Sequence, residues 1–96
     1  MSEESILAGL MKAIQIALDN TGAKLDSISR SDIAADIPGL ESDDWPYIET
    51  NVGEILEINI PENVHLFTEG HSKNGKKRTI GQIVDIILKL SELEKK

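Results

Sequence analysis

The stretch that decides the fold is DIPGLESDDWPYIETNVGEILEINIP, residues 36–61. Its second half places apolar residues four positions apart, at Ile48, Val52 and Leu56. This spacing puts their side chains on one face of a helix, and the charged residues between them, Glu49, Glu54 and Glu57, are left to face water. The helix must stop before Pro61, because proline lacks the backbone N–H that a helix needs. The stretch therefore predicts a helix at about 45–58, entered through a turn that contains Ser42.

The segments on either side of this stretch also have helical patterns. Apolar residues recur every three or four positions at about 5–19 and again at about 79–92. In the second of these segments Thr79 and Gln82 have the spacing of a capping box, in which each side chain bonds the other residue's backbone N–H. The linking residues Leu25, Ile28, Ile33 and Ile37 are expected to pin the long connection before residue 36 to the core. Two further main helices are thus predicted.

The region after Pro61 is shorter and less regular. Val64, Leu66 and Phe67 predict a brief packed helix at 63–67. Residues 68–78 hold two glycines and four basic residues but no apolar side chain, and so predict a mobile exposed loop. No stretch alternates in the manner of a strand. The expected fold is all-α: a small bundle of three main helices plus one short helix, forming a single domain over residues 1–96.

The charge of the chain is concentrated in its middle. The formal net charge is −7, and ten of the seventeen acidic residues lie between Arg30 and Lys73, where there is no Lys or Arg. A surface of this kind repels nucleic acid and anionic lipid and attracts a basic partner. A solvated acidic face that only aids solubility is the alternative.

Several kinds of chemistry are disfavoured by the residue types present. The chain has no cysteine, no signal-peptide pattern and no apolar run near the length of a membrane span, which favours a cytoplasmic monomer without membrane insertion. His65 and His71 lack the spacing of metal ligands, so no metal site is expected. A hydrolase centred on Ser42 would need a histidine base, which neither sequence context suggests. We therefore expect no enzymatic activity.

The order of these features resembles the acyl carrier protein family. Members of that family carry 4′-phosphopantetheine on a serine at the start of their second helix. The approach DIPGLES to Ser42, the interval from Ser42 to Ile60 and Pro61, and the segment TIGQIVDIIL beginning at Thr79 are similar to the family's pattern. With the first predicted helix included, the resemblance covers nearly the whole chain.

The resemblance implies a function and a set of site residues. Ser42 would hold the covalent 4′-phosphopantetheine arm, and acyl or related intermediates would be carried on it as thioesters, in fatty acid, polyketide or other lipid metabolism. Partners would be a phosphopantetheinyl transferase and acyl-loading or acyl-processing enzymes with basic docking patches. The partner-binding candidates are Glu41, Asp43, Asp44, Trp45, Glu49, Glu54 and Glu57.

Two questions stay open at the level of sequence. The chain could instead be an unmodified carrier-like interaction module, which keeps the bundle and the acidic surface but never loads cargo. Trp45 could be an exposed anchor for a partner or a cover over the end of the bundle, and we expect partial burial because tryptophan is usually largely buried.

Overall fold

The computed structural model describes residues 2–19, 21–25, 27–61, 64–68 and 76–94, with the backbone alone described at Ser42 and Glu94. These residues form three α-helices and two 3-10 turns: α1 (Glu3–Leu18), the turns Ala34–Asp36 and Ser42–Asp44, α2 (Trp45–Leu56) and α3 (Ile80–Glu94). Within the described ranges the only β-type pairings are two isolated bridges, and no strand is present. The predicted all-α bundle is confirmed.

Helix α1 packs against both of the other helices. It begins at Glu3, two residues before the predicted start, because the Ser2 side chain accepts a hydrogen bond from the backbone N–H of Ser5 at 3.2 Å. Gly9 allows α2 to approach closely, since a Cβ atom at this position would lie 2.6 Å from Cδ2 of Leu56. A side chain at position 9 would therefore require Leu56 to shift.

Helix α2 ends earlier than its apolar pattern predicts. Its last residue is Leu56 rather than residue 58, because Glu57 adopts the left-handed conformation with φ 55° and ψ 45°. The N–H of Ile58 then donates to the carbonyl oxygen of Gly53 at 3.0 Å, as in a Schellman motif. The chain turns back along α2 from this point, so Ile60 lies beyond the helix instead of on it.

Helix α3 is fixed at its start by the predicted capping box and by the connection between α1 and α2. Thr79 N–H donates to Oε1 of Gln82 at 2.9 Å, and Gln82 N–H donates to Oγ1 of Thr79 at 3.2 Å. The N–H of Ile80 donates to the carbonyl oxygen of Asp32 at 2.7 Å. The guanidinium of Arg30 pairs with Glu3 on α1 and with Asp85 on α3. The connection thus ties the two helices together.

The predicted short helix at 63–67 is not formed by residues 64–67, and residue 63 lies outside the described residues. Val64 N–H donates to the carbonyl oxygen of Pro61 at 2.9 Å, which closes a single turn, and the backbone groups of Leu66 and Phe67 then bond distant partners. Leu66 N–H donates to the carboxylate of Glu49, and the carbonyl oxygen of Phe67 accepts from Arg78 N–H at 2.9 Å. Leu66 and Phe67 are nevertheless buried, as their apolar character predicts.

The predicted mobile loop at 68–78 lies mainly outside the described residues, which exclude 69–75. Its first residue differs from the prediction, because Thr68 is 4% exposed and forms an antiparallel bridge with Lys77. The Lys77 ammonium also pairs with the carboxylate of Asp36 at 2.6 Å. The described ends of this segment are therefore attached to the body of the protein.

The core is aliphatic, with Phe67 as its one fully buried aromatic side chain among the described residues. Its buried members are Ile6, Leu10, Ala13, Ile14, Ala17, Leu18, Ala34, Ile48, Val52, Ile58, Leu66, Phe67, Ile80, Ile83, Val84 and Ile87. The connection contributes Ala34 to this core and packs Leu25, Ile28 and Ile37 against it. Ile33, which was expected to do the same, is 39% exposed because it lies at the bridge to Thr79 on the surface.

Candidate functional site

Ser42 begins the 3-10 turn Ser42–Asp44, which runs directly into α2. The turn is closed by two hydrogen bonds between the same pair of residues. Asp44 N–H donates to the carbonyl oxygen of Glu41 at 2.9 Å, and Glu41 N–H donates to Oδ2 of Asp44 at 3.0 Å. The side chain of Ser42 lies outside the described part of the structure, so its exposure stays a prediction.

The residues around Ser42 determine how a phosphodiester would fit there. Glu41 and Asp43, on either side of it, are both exposed, so an enzyme can reach this turn. Backbone N–H groups at the start of α2 are the donors that a helix N-terminus offers to an anion, although Pro46 lacks one of them. The neighbouring carboxylates oppose an added negative charge. The helix N-terminus and the neighbouring carboxylates thus act in opposite directions on an anion at this turn.

The exposed carboxylates among the partner-binding candidates follow α2 from end to end. Glu41 and Asp43 precede the helix, Glu54 lies in its last turn, and Glu57 follows it. A helix of 12 residues is about 18 Å long, so these four side chains span a surface of roughly that length. Asp44 is half-buried and bonded within the turn, and it offers less to a partner.

Glu49 does not face water as the helical pattern predicts. Its side chain is half-buried, because the chain that follows α2 turns back over this part of the helix. Burial raises the pKa of Glu49 from its ordinary value of 4.5 to about 6, and the hydrogen bond from Leu66 N–H offsets part of that rise. Glu49 is therefore a poorer docking residue than Glu54 or Glu57.

Trp45 is half-buried, which confirms the expected partial burial. Its indole ring stacks on the ring of Phe67, with centroids 5.6 Å apart and planes 10° from parallel. The indole Nε1 is buried and has no hydrogen-bond partner within the part of the chain that the structure describes. Trp45 thus joins the start of α2 to the segment 64–68, and its contact with a partner stays a prediction.

The sequence did not predict a cleft that lies beside α2. It has a volume of about 510 Å³ and is formed where residues 58–61 and 64–65 lie along the helix. The side chains that give it its chemical character are Glu49, Thr50, Glu54, Ile60, Val64 and His65. Ile58 and Ile60, two apolar residues close after the helix, indicate that this part of the chain packs against the protein. The reversal of the chain could not be predicted, because position 57 holds glutamate and not the glycine that usually marks such a turn.

Neither a metal centre nor a membrane-spanning helix is found among the described residues. No group of three or more His, Asp or Glu side chains in them could hold a metal ion. None of the described helices combines the length and apolar character needed to cross a membrane. His71 lies outside the described residues, and His65 lines the cleft.

Comparison with known proteins gives no match, whether to a family model, to a curated protein or to a solved structure. The resemblance of the motifs around Ser42 and Thr79 to acyl carrier proteins therefore stays a hypothesis.

Proposed function

We propose that this chain is a carrier protein that holds acyl or related intermediates as thioesters on a 4′-phosphopantetheine arm attached to Ser42. The observation that carries the proposal is the place of Ser42 in the bundle. It begins the 3-10 turn that enters α2, and its exposed neighbours Glu41 and Asp43 leave that turn open to another enzyme. The chain's own part would be to present the arm, while the chemistry would be done by its partners.

The composition and the surface support this role. The chain has no cysteine, so a reactive thiol has to come from an attached group. Glu41, Asp43, Glu54 and Glu57 offer a negative surface beside the arm for a basic patch on a partner. Exposed ion pairs contribute about 0 to 1 kcal/mol each, so docking would be weak, fast and sensitive to salt. Such contacts suit a carrier that must leave each partner after use.

The test is attachment of the arm. The purified chain is incubated with coenzyme A and a broad-specificity phosphopantetheinyl transferase, and its intact mass is measured. We expect the addition of one phosphopantetheine group, and we expect Ser42→Ala to abolish it. Ser31→Ala, at an exposed serine in the connection, is the matched control and should be modified normally. A modification that persists in Ser42→Ala would refute the assignment.

An unmodified interaction module is the second candidate, and one residue favours it. Asp43 is exposed directly after Ser42, where carrier proteins generally have an apolar residue that their transferases contact. In this case no transferase would change the mass of the chain, while circular dichroism would still show a folded helical bundle. Reversal of Glu54 and Glu57 to Lys would then abolish partner binding, and Ser42→Ala would leave it intact.

A further inference from the structure

The cleft beside α2 does not include the proposed attachment turn, and Glu54 is the one exposed docking residue that also lines it. We propose that it binds a small organic cation, with an ammonium or guanidinium group carried on a short aliphatic chain. Its volume of about 510 Å³ lies within the range of small-molecule sites. The proposal concerns a site separate from the hydroxyl of Ser42, so it stands or falls independently of the carrier function.

The cleft has apolar walls that suit an aliphatic chain. Ile60 and Val64, on the segment that turns back along α2, are half-buried and line one side. Pro61 continues this wall, and the buried Ile58 adjoins it. Contact with these side chains removes apolar surface of a ligand from water, which favours a chain of several methylene groups over a bare ion.

The polar side chains of the cleft select a positive charge. Glu49 and Glu54 both line it, and none of the described lining residues is Lys or Arg. The half-buried carboxylate of Glu49 has lost part of its hydration, and the hydrogen bond from Leu66 N–H restores only part of it. A cation beside Glu49 would supply the missing stabilisation. A neutral hydrogen-bond donor would supply less of it than a cation, and an anion would be repelled.

The hydroxyl of Thr50 adds an acceptor next to these carboxylates. It donates its own proton to the carbonyl oxygen of Pro46 at 3.0 Å, so its lone pairs remain to accept from a donor. His65 also lines the cleft. Binding is best measured at slightly alkaline pH, above the raised pKa of Glu49, where the carboxylate of Glu49 is ionised.

The test compares probes that share a chain but differ in head group. Chemical shifts of the full chain are followed by NMR during titration with n-butylammonium, n-butanol, butyrate and ammonium chloride at about pH 7.5. We expect saturable shifts of Thr50, Gly53 and Val64 signals with n-butylammonium. Its affinity should exceed that of n-butanol by about fivefold, the size of one partly shielded ion pair. Butyrate and ammonium should show no saturable binding.

Variants test whether the carboxylate of Glu49 is the group that binds the cation. Glu49→Gln keeps the shape of the side chain and should weaken n-butylammonium binding by about fivefold. Glu57→Gln, beyond the end of α2 and outside the cleft lining, is the matched control and should bind like the parent chain, as should Ser42→Ala. Equal binding of n-butanol and n-butylammonium would overturn the proposal, as would unchanged binding by Glu49→Gln.

Discussion

Glu49 is the residue in which burial and charge conflict most clearly. Its carboxyl is half-buried between α2 and the segment that follows, and its pKa is raised to about 6. An acid whose pKa is higher in the folded than in the unfolded protein favours folding while it is protonated. This contribution is full below the ordinary pKa of 4.5 and is lost as the pH rises through about 6. At neutral pH the ionised Glu49 therefore lowers the stability of the fold.

Glu49→Gln should remove the loss of stability that ionised Glu49 causes at neutral pH. We expect the variant to be more stable than the parent chain by about 1 kcal/mol at neutral pH, after allowance for solvent screening of a half-exposed group. Its advantage should vanish near pH 4, where both side chains are neutral. Urea unfolding at the two pH values measures the difference. Glu54→Gln controls for the loss of one charge, and an advantage of Glu49→Gln that does not depend on pH would contradict this account.

At the scale of the element, the end of α2 determines the geometry of the cleft. Glu57 takes a left-handed conformation that glycine adopts without cost but that crowds the Cβ atom of any other residue. Glu57→Gly should therefore raise the free energy of unfolding by about 0.5 to 1 kcal/mol. Glu54→Gly, inside the last turn of the helix, should lower it by about 1 kcal/mol. Urea unfolding of both variants tests the pair, and a loss of stability in Glu57→Gly would show that its side chain is needed there.

The three main helices could be predicted because their information is local. The apolar spacing and the capping box of Thr79 and Gln82 lie within a few residues of each other, and so does the turn that holds Ser42. The end of α2 could not be predicted, because a glutamate occupies the left-handed position where glycine is usual. The helix predicted at 63–67 failed at residues 64–67 for a different reason. The backbone of Leu66 and Phe67 bonds to Glu49 and Arg78, which are distant in sequence.

The candidate site, like the fold, could be predicted from the sequence only in part. The position of Ser42 before α2 and the exposure of Glu41, Asp43, Glu54 and Glu57 follow from the pattern of the sequence. The burial of Glu49 does not, because it depends on where the chain goes after Leu56. The cleft results from the same chain reversal. Sequence patterns thus predicted the exposed surface better than the concave one.

At the scale of the whole molecule, one aliphatic core joins all three helices. The fluorescence of Trp45 reports on a different contact, the one between the start of α2 and the segment 64–68. Trp45 is the only tryptophan of the chain, and it stacks on Phe67. Because a small single-core domain usually unfolds in one step, we expect Trp45 fluorescence and far-ultraviolet circular dichroism to give the same urea midpoint. An earlier fluorescence transition would mean that the segment 64–68 separates from α2 before the helices unfold.

The bridge between Thr68 and Lys77 has a practical use. Together with the hydrogen bond from Arg78 N–H to Phe67, it holds two points of the chain side by side on the body of the protein. The entropy lost in closing a loop grows only slowly with its length, by about 0.6 kcal/mol for each doubling. A peptide epitope or a small sensor domain could accordingly be spliced between these two points, with the folded scaffold serving as its anchor.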